Sequence, residues 1–158
     1  MLDSEFWLQL EYTSLAGAIG ATWLFPLFNS LHVLAFAFML AALFWLDLGL
    51  MMGRWQQVPV KETMRSWLPW IWVSFSASVV TGGALFITRA SAHVLNPAFQ
   101  WKMLLMLAAG LNMLLLHLSL RKLASTDAPG TLAAWQAGLS LLLWSGVVLS
   151  GRWIGHIV

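Results

Sequence analysis

Four long apolar blocks separated by short polar breaks organise this chain. The first runs from about Trp23 to Met52 and is apolar apart from Asn29, Ser30, His32 and Asp47. It is long enough to cross a bilayer with some tilt. Pro26 near its start suits the first turn of a helix. Gly53 to Lys61 (GRWQQVPVK) reads as a polar turn, and the second block spans about Ser66 to Thr88. A loop follows, RASAHVLNP, in which Asn96 then Pro97 is a helix N-cap with proline at the first helical position. The third block therefore starts at Pro97 and reaches about Leu120. RKLASTDAPGT (121–131) is the last break, with Asp-Ala-Pro-Gly as its turn. The fourth block covers about Leu132 to Ile157. Ahead of all four, residues 4–19 mix Phe6, Trp7, Leu8, Leu10 and Leu15 with Glu5, Gln9, Glu11 and Thr13, the pattern of a short helix at a membrane surface. Short connections then predict an all-α fold: one domain over residues 1–158, an integral-membrane antiparallel four-helix bundle.

Composition sharpens this. Of 158 residues, 60% are hydrophobic and 9% are Asp, Glu, Lys or Arg, against about 25% charged in a soluble domain. Too few polar atoms remain to cover a water-facing surface. A soluble enzyme, a disordered regulator and a disulfide-stapled secreted module are excluded. The chain has no cysteine, which rules out disulfides, thiolate metal sites, iron–sulfur clusters and covalently attached haem. Its eight cations are scattered and form no nucleic-acid patch. The start, MLDSEFWLQLEY, lacks a basic n-region, so the first segment is expected to stay in the mature chain.

The cations instead report topology. Call the end of the bundle holding the N-terminus end A and the other end B. End B carries Arg54, Lys61, Arg65, Arg121 and Lys122; end A carries Arg89, Lys102 and Arg152. The positive-inside rule places end B in the cytoplasm and the N-terminus outside, as in a multi-pass protein of a bacterial inner membrane. Trp23, Trp101 and Trp153 fall near end A, and Trp55, Trp67 and Trp135 near end B. Tryptophan suits the water–lipid boundary because its ring is apolar and its N–H wants a partner.

Ionisable groups inside a span are costly and mark function by default. At 1.5 Å per residue, His32 lies roughly 9 Å below the start of the first span, and Lys102 about 7–8 Å into the third. Arg152 sits at a comparable level in the fourth, with His156 one turn on and His93 and Arg89 in the loop above. Thr81-Gly82-Gly83, Ser145-Gly146 and Ser150-Gly151 thin the side chains at this level. Such glycines serve either close helix packing or room for a ligand. Beside His32 the second use points to haem b, its iron on a neutral imidazole and its propionates on Arg and Lys. His32 is then the first axial ligand and His93 or His156 the second; the sequence does not choose between them.

His117 is far from that level, near end B of the third span, and reads as a hydrogen-bonded helix-end histidine close to Arg121. Asp47 is expected to pair with Arg121, Lys122 or Arg54, and Asn112 to bond across helices. Met103, Met106 and Met113 on the third span raise copper as a minority reading; methionine is equally an ordinary packing residue.

Taken together, LHVLAFAFMLAALFWLDL, TGGALF, NPAFQWKMLLMLAAGLN with its later LLH, and SGRWIGH resemble a group of small bacterial four-helix membrane proteins. That group is distantly similar to the copper-resistance D domain and to b-type membrane cytochromes. The resemblance covers nearly the whole chain and implies motif positions at His32, Asp47, Thr81, Gly82, Asn96, Lys102, His117, Arg152 and Trp153. It gives His117 more weight than the residues alone do. Four histidines in two level pairs, the mark of a di-haem cytochrome, are not found.

These observations favour a membrane electron-transfer subunit. It would hold one b-type haem toward the outer face and exchange electrons with a quinone or a partner redox protein. It has no hydrolase or transferase motif. Two alternatives stay open: a cofactor-free anchor or assembly subunit of a larger complex, and a copper-handling membrane protein. With so little chain outside the bilayer, a homo-oligomer or a larger membrane complex is the expected working form.

Overall fold

The computed structural model describes residues 4–54, 60–122 and 129–156. Trp55, part of the Asp-Ala-Pro-Gly turn and the end of the fourth block at Ile157 lie outside them, as does the side chain of Lys61. Two short helices, α1 (Ser4–Glu11) and α2 (Ser14–Gly20), precede α3 (Leu24–Met51) and α4 (Val60–Phe86). A 3-10 turn (Ile87–Arg89) and the short α5 (Ala90–Leu95) lead into α6 (Pro97–Arg121) and α7 (Thr131–Trp153). No strand occurs among the described residues. Four of these helical segments are long and apolar enough to cross a membrane, and they overlap the four apolar blocks; the second runs on from Glu62 to Leu95, and the fourth ends at Trp153 rather than near Ile157.

Local chemistry explains the boundaries. Asn96 Oδ1 accepts from the N–H groups of Ala98 (2.9 Å) and Phe99 (3.3 Å), with Pro97 opening the helix, so α6 starts where its cap demands. Helix α3 ends at Gly53, whose φ of 65° lies in the left-handed region that favours glycine. Two expectations need correction. Residues 4–19 are not one helix: Thr13 breaks them, its Oγ1 accepting from Ala16 N–H at 3.3 Å to cap a second helix. The segment after Arg89 is helical rather than a loop, so His93 stands on α5.

Helix α3 packs along α4 and α7, and α6 packs along α7, whereas α4 and α6 barely touch. Trp144 of α7 is fully buried at the centre, meeting Phe36 of α3 and Phe75 of α4 edge-on, each at a centroid distance of 6.1 Å. Around it Met39, Leu43, Ile71, Met113 and Leu116 close a dry core. Burial along α3 begins at Met39, and along α6 it resumes at Ala109, so the core fills the half of the molecule toward end B. The exterior is studded with large apolar side chains, among them Leu34, Val80, Leu107 and Leu142. A contiguous apolar coat of this kind suits hydrocarbon, not water.

The N-terminal helices close end A. Glu11 Oε1 accepts from the backbone N–H (2.7 Å) and the hydroxyl (2.6 Å) of Ser91, clasping α1 to α5. Ala16 and Ile19 of α2 are buried. At the same end, Asn96 Nδ2 donates to Ile154 O (3.0 Å), tying the start of α6 to the end of α7.

Candidate functional site

His32 projects from α3 onto α4. Its Nδ1 lies 2.9 Å from the Ser78 carbonyl and 3.2 Å from Thr81 Oγ1. A carbonyl only accepts, so Nδ1 carries the proton and donates. The Thr81 hydroxyl is already committed to Ala77 O at 2.6 Å and serves as a second acceptor. Nε2 is thereby left as the basic nitrogen, the tautomer that a metal ligand requires. The ring stacks nearly parallel to Phe36 (6.2 Å, 4°).

Position 82 must be small. A β-carbon there would stand 2.9 Å from His32 Cε1 and 3.3 Å from Nδ1. Gly151 on α7 is likewise covered by the Lys102 stem, with Cδ and Cε 3.7 Å from where its β-carbon would be, and Gly146 by Leu105 at 3.2 Å. Gly83 is open, with nothing within 4 Å. Three of the glycines expected to floor a macrocycle slot are therefore covered by this chain's own side chains, Gly82 by the His32 ring itself.

Lys102 is half-buried and makes no hydrogen bond or ion pair among the described residues. Its ammonium is within electrostatic reach of both His32 and His93. His93 packs against Phe86 (6.2 Å) and Phe99 (5.5 Å). It lines a groove of about 610 Å³ with Glu11, Arg89, Phe25 and Thr88, to which His32 does not contribute. Arg152, His156 and Arg89 are exposed. The structure thus brings His32, Lys102 and His93 into one electrostatic neighbourhood and leaves Arg152 and His156 on the surface of end A.

The remaining polar residues also find their places. Asn112 Nδ2 donates to Gln136 O at 2.9 Å, an α6–α7 bond as expected. Asp47 does not pair with a cation among the described residues. It is 2% exposed, Ser140 of α7 stands beside it, and neither its Oδ2 nor Ser140 Oγ closes a hydrogen bond. His117 is not a hydrogen-bonded helix-end residue either. It is 3% exposed, packs edge-on to Trp72 of α4 at 6.1 Å, and its Nδ1 is sealed without a partner. Of the three methionines of α6, Met113 is buried and Met106 packs against the same core, whereas Met103 is exposed. No cluster of three or more His, Cys, Asp or Glu side chains suited to a metal forms among the described residues.

Sequence reasoning missed two features. One is a small cleft between α4 and α6 near end B, lined by Arg65, Leu68 and Pro69 with His117, Leu120 and Arg121. The other is a groove of about 1010 Å³ along α7, lined by Met51, Leu132, Trp135, Gly138, Leu139 and Leu142. The spacing of Leu132, Trp135, Leu139 and Leu142 (three, four, three) was the signal for the second, because it puts them on one helix face.

No protein-family model, curated protein or solved structure matches this chain.

Proposed function

We propose that the chain is a multi-pass membrane protein, an antiparallel four-helix bundle that works as an anchor or assembly subunit, in a homo-oligomer or a larger complex. The α7 groove carries this reading. Trp135 is 80% and Leu142 73% exposed, and with Leu132 and Leu139 they form a concave apolar stripe at coiled-coil spacing. Gly138 keeps its floor low, with Met51 Sδ 3.7 Å from where a β-carbon would lie. Hydrocarbon tails need no such concavity, whereas a partner helix packs knobs into it. The same seam faces the bilayer on the proposed inner-membrane placement, with end B in the cytoplasm and the N-terminus outside. Mild-detergent extraction followed by sizing tests it: a stoichiometric assembly is expected, reduced by Trp135→Ala with Leu142→Ala.

One observation favours a second reading, a single b-type haem on His32 exchanging electrons with a quinone or partner redox protein: the Nδ1 donation to Ser78 that frees Nε2. Lys102 would then face a propionate, and the bound haem would supply one-electron chemistry. An absorption spectrum with iron and copper content on the purified chain separates the two readings. The anchor reading expects no Soret band and neither metal at stoichiometry. A Soret band abolished by His32→Ala would replace it, and stoichiometric copper would favour the copper-handling alternative.

A further inference from the structure

The cleft between α4 and α6 is the one place among the described cavities where two cations and a sealed imidazole share an opening. Its volume is about 280 Å³. Arg65 of α4 and Arg121 of α6 flank it, both exposed, and neither forms an ion pair among the described residues. Leu68, Pro69 and Leu120 give it apolar walls. His117 forms part of the wall at 3% exposure, with no hydrogen bond to either ring nitrogen among the described residues and Nδ1 sealed. A buried imidazole without a partner is costly in protein and in hydrocarbon alike.

Helices α4 and α6 barely touch here, and the Trp72 ring lies edge-on to His117. Pro69 has no N–H for the Arg65 carbonyl one turn earlier, which interrupts the α4 ladder beside the cleft.

We infer that this cleft is a binding site for the phosphate headgroup of an anionic phospholipid, held by Arg65 and Arg121 with His117 as a deeper polar contact. Guanidinium groups bind phosphate oxygens in bidentate fashion. Basic pockets between membrane helices on the cytoplasmic side are suited to such headgroups, and the apolar walls accept the glycerol and first methylenes. The phosphate chemistry rests on the cleft alone; the lipid as its source rests on the membrane reading above.

The test is native mass spectrometry of the detergent-purified full chain with equimolar phosphatidylglycerol and phosphatidylcholine. The wild type is expected to retain phosphatidylglycerol preferentially. Arg65→Gln with Arg121→Gln should lower its affinity about 30-fold, from about fivefold per cation, and His117→Leu about fivefold. Arg54→Gln, which removes an exposed charge outside the cleft, should leave it unchanged; thermal unfolding confirms that each variant is folded. Equal retention of the two lipids by the wild type would overturn the proposal. So would a loss in Arg54→Gln as large as in the double variant, which would mark diffuse surface charge. If inorganic phosphate stabilises the wild type but not the double variant, and no lipid preference appears, the site takes a soluble phosphoryl group and the lipid assignment fails. A chain that needs detergent for extraction yet shows no preference would sink this site and leave the membrane reading standing.

Discussion

The imidazole of His32 lies against Gly82 so closely that a β-carbon on residue 82 would stand 2.9 Å from its Cε1. Together with the 2.9 Å bond from Nδ1 to Ser78 O, this fixes how α3 and α4 meet near end A. Gly82→Ala should therefore cost about 1–3 kcal/mol, the usual penalty of overpacking, read as a lower thermal midpoint. Gly83→Ala, in open space, should cost nothing and gain helix propensity. His32→Ala in the Gly82→Ala background should recover part of the loss. Equal effects at 82 and 83 would contradict the contact.

Glu11 holds Ser91 through two short bonds to one carboxylate oxygen. Bonds to a charged group contribute roughly 1.5–3 kcal/mol each. Glu11→Gln should loosen α1 from α5, giving faster hydrogen exchange over residues 4–20 while α6 and α7 stay protected. Unchanged exchange in that segment would show that Ala16 and Ile19 alone anchor it.

Much of the long-helix architecture was legible in the residues. Asn96-Pro97 announced the start of α6, and the apolar blocks marked all four long helices because a 20-residue apolar run has few other homes. The Thr13 break carried a readable signal, an N-cap residue ahead of a small-residue run without charge, but seven residues are too few for periodicity to arbitrate. Helix α5, at six residues, is shorter still, and RASAHVLNP around His93 reads as a loop. The polar network was less legible because its partners lie on other helices. That His32 would meet Ser78, and that the Lys102 stem would cover Gly151, depends on helix rotation, which a chain apolar on all faces does not encode. Gly82 and Gly151 read as empty space in one dimension and are filled in three.

Asp47 is buried to 2% beside Ser140 with Oδ2 unpartnered. A buried carboxyl whose oxygen closes no hydrogen bond carries a desolvation cost. Asp47→Asn, which keeps the shape and removes the charge, should leave the thermal midpoint unchanged or raise it, whereas the larger Asp47→Leu should lower it by overpacking. A clear fall with Asp47→Asn would mean that the carboxyl makes an interaction of real worth.

Asn112 joins α6 to α7 through Gln136 O. Interhelical bonds of this kind contribute about 0.6–2 kcal/mol in membranes. Asn112→Leu should lower stability by that amount, read as a lower thermal midpoint, without altering assembly size, since Asn112 does not line the α7 groove.

The assembly claim is tested most directly by the mass of the particle that holds this chain after gentle extraction in its own lipid. A protein mass of more than one chain of 17.6 kDa per particle is expected, falling to one chain when Trp135, Leu139 and Leu142 are all changed to alanine. A wild-type particle containing one chain and lipid alone would contradict the account.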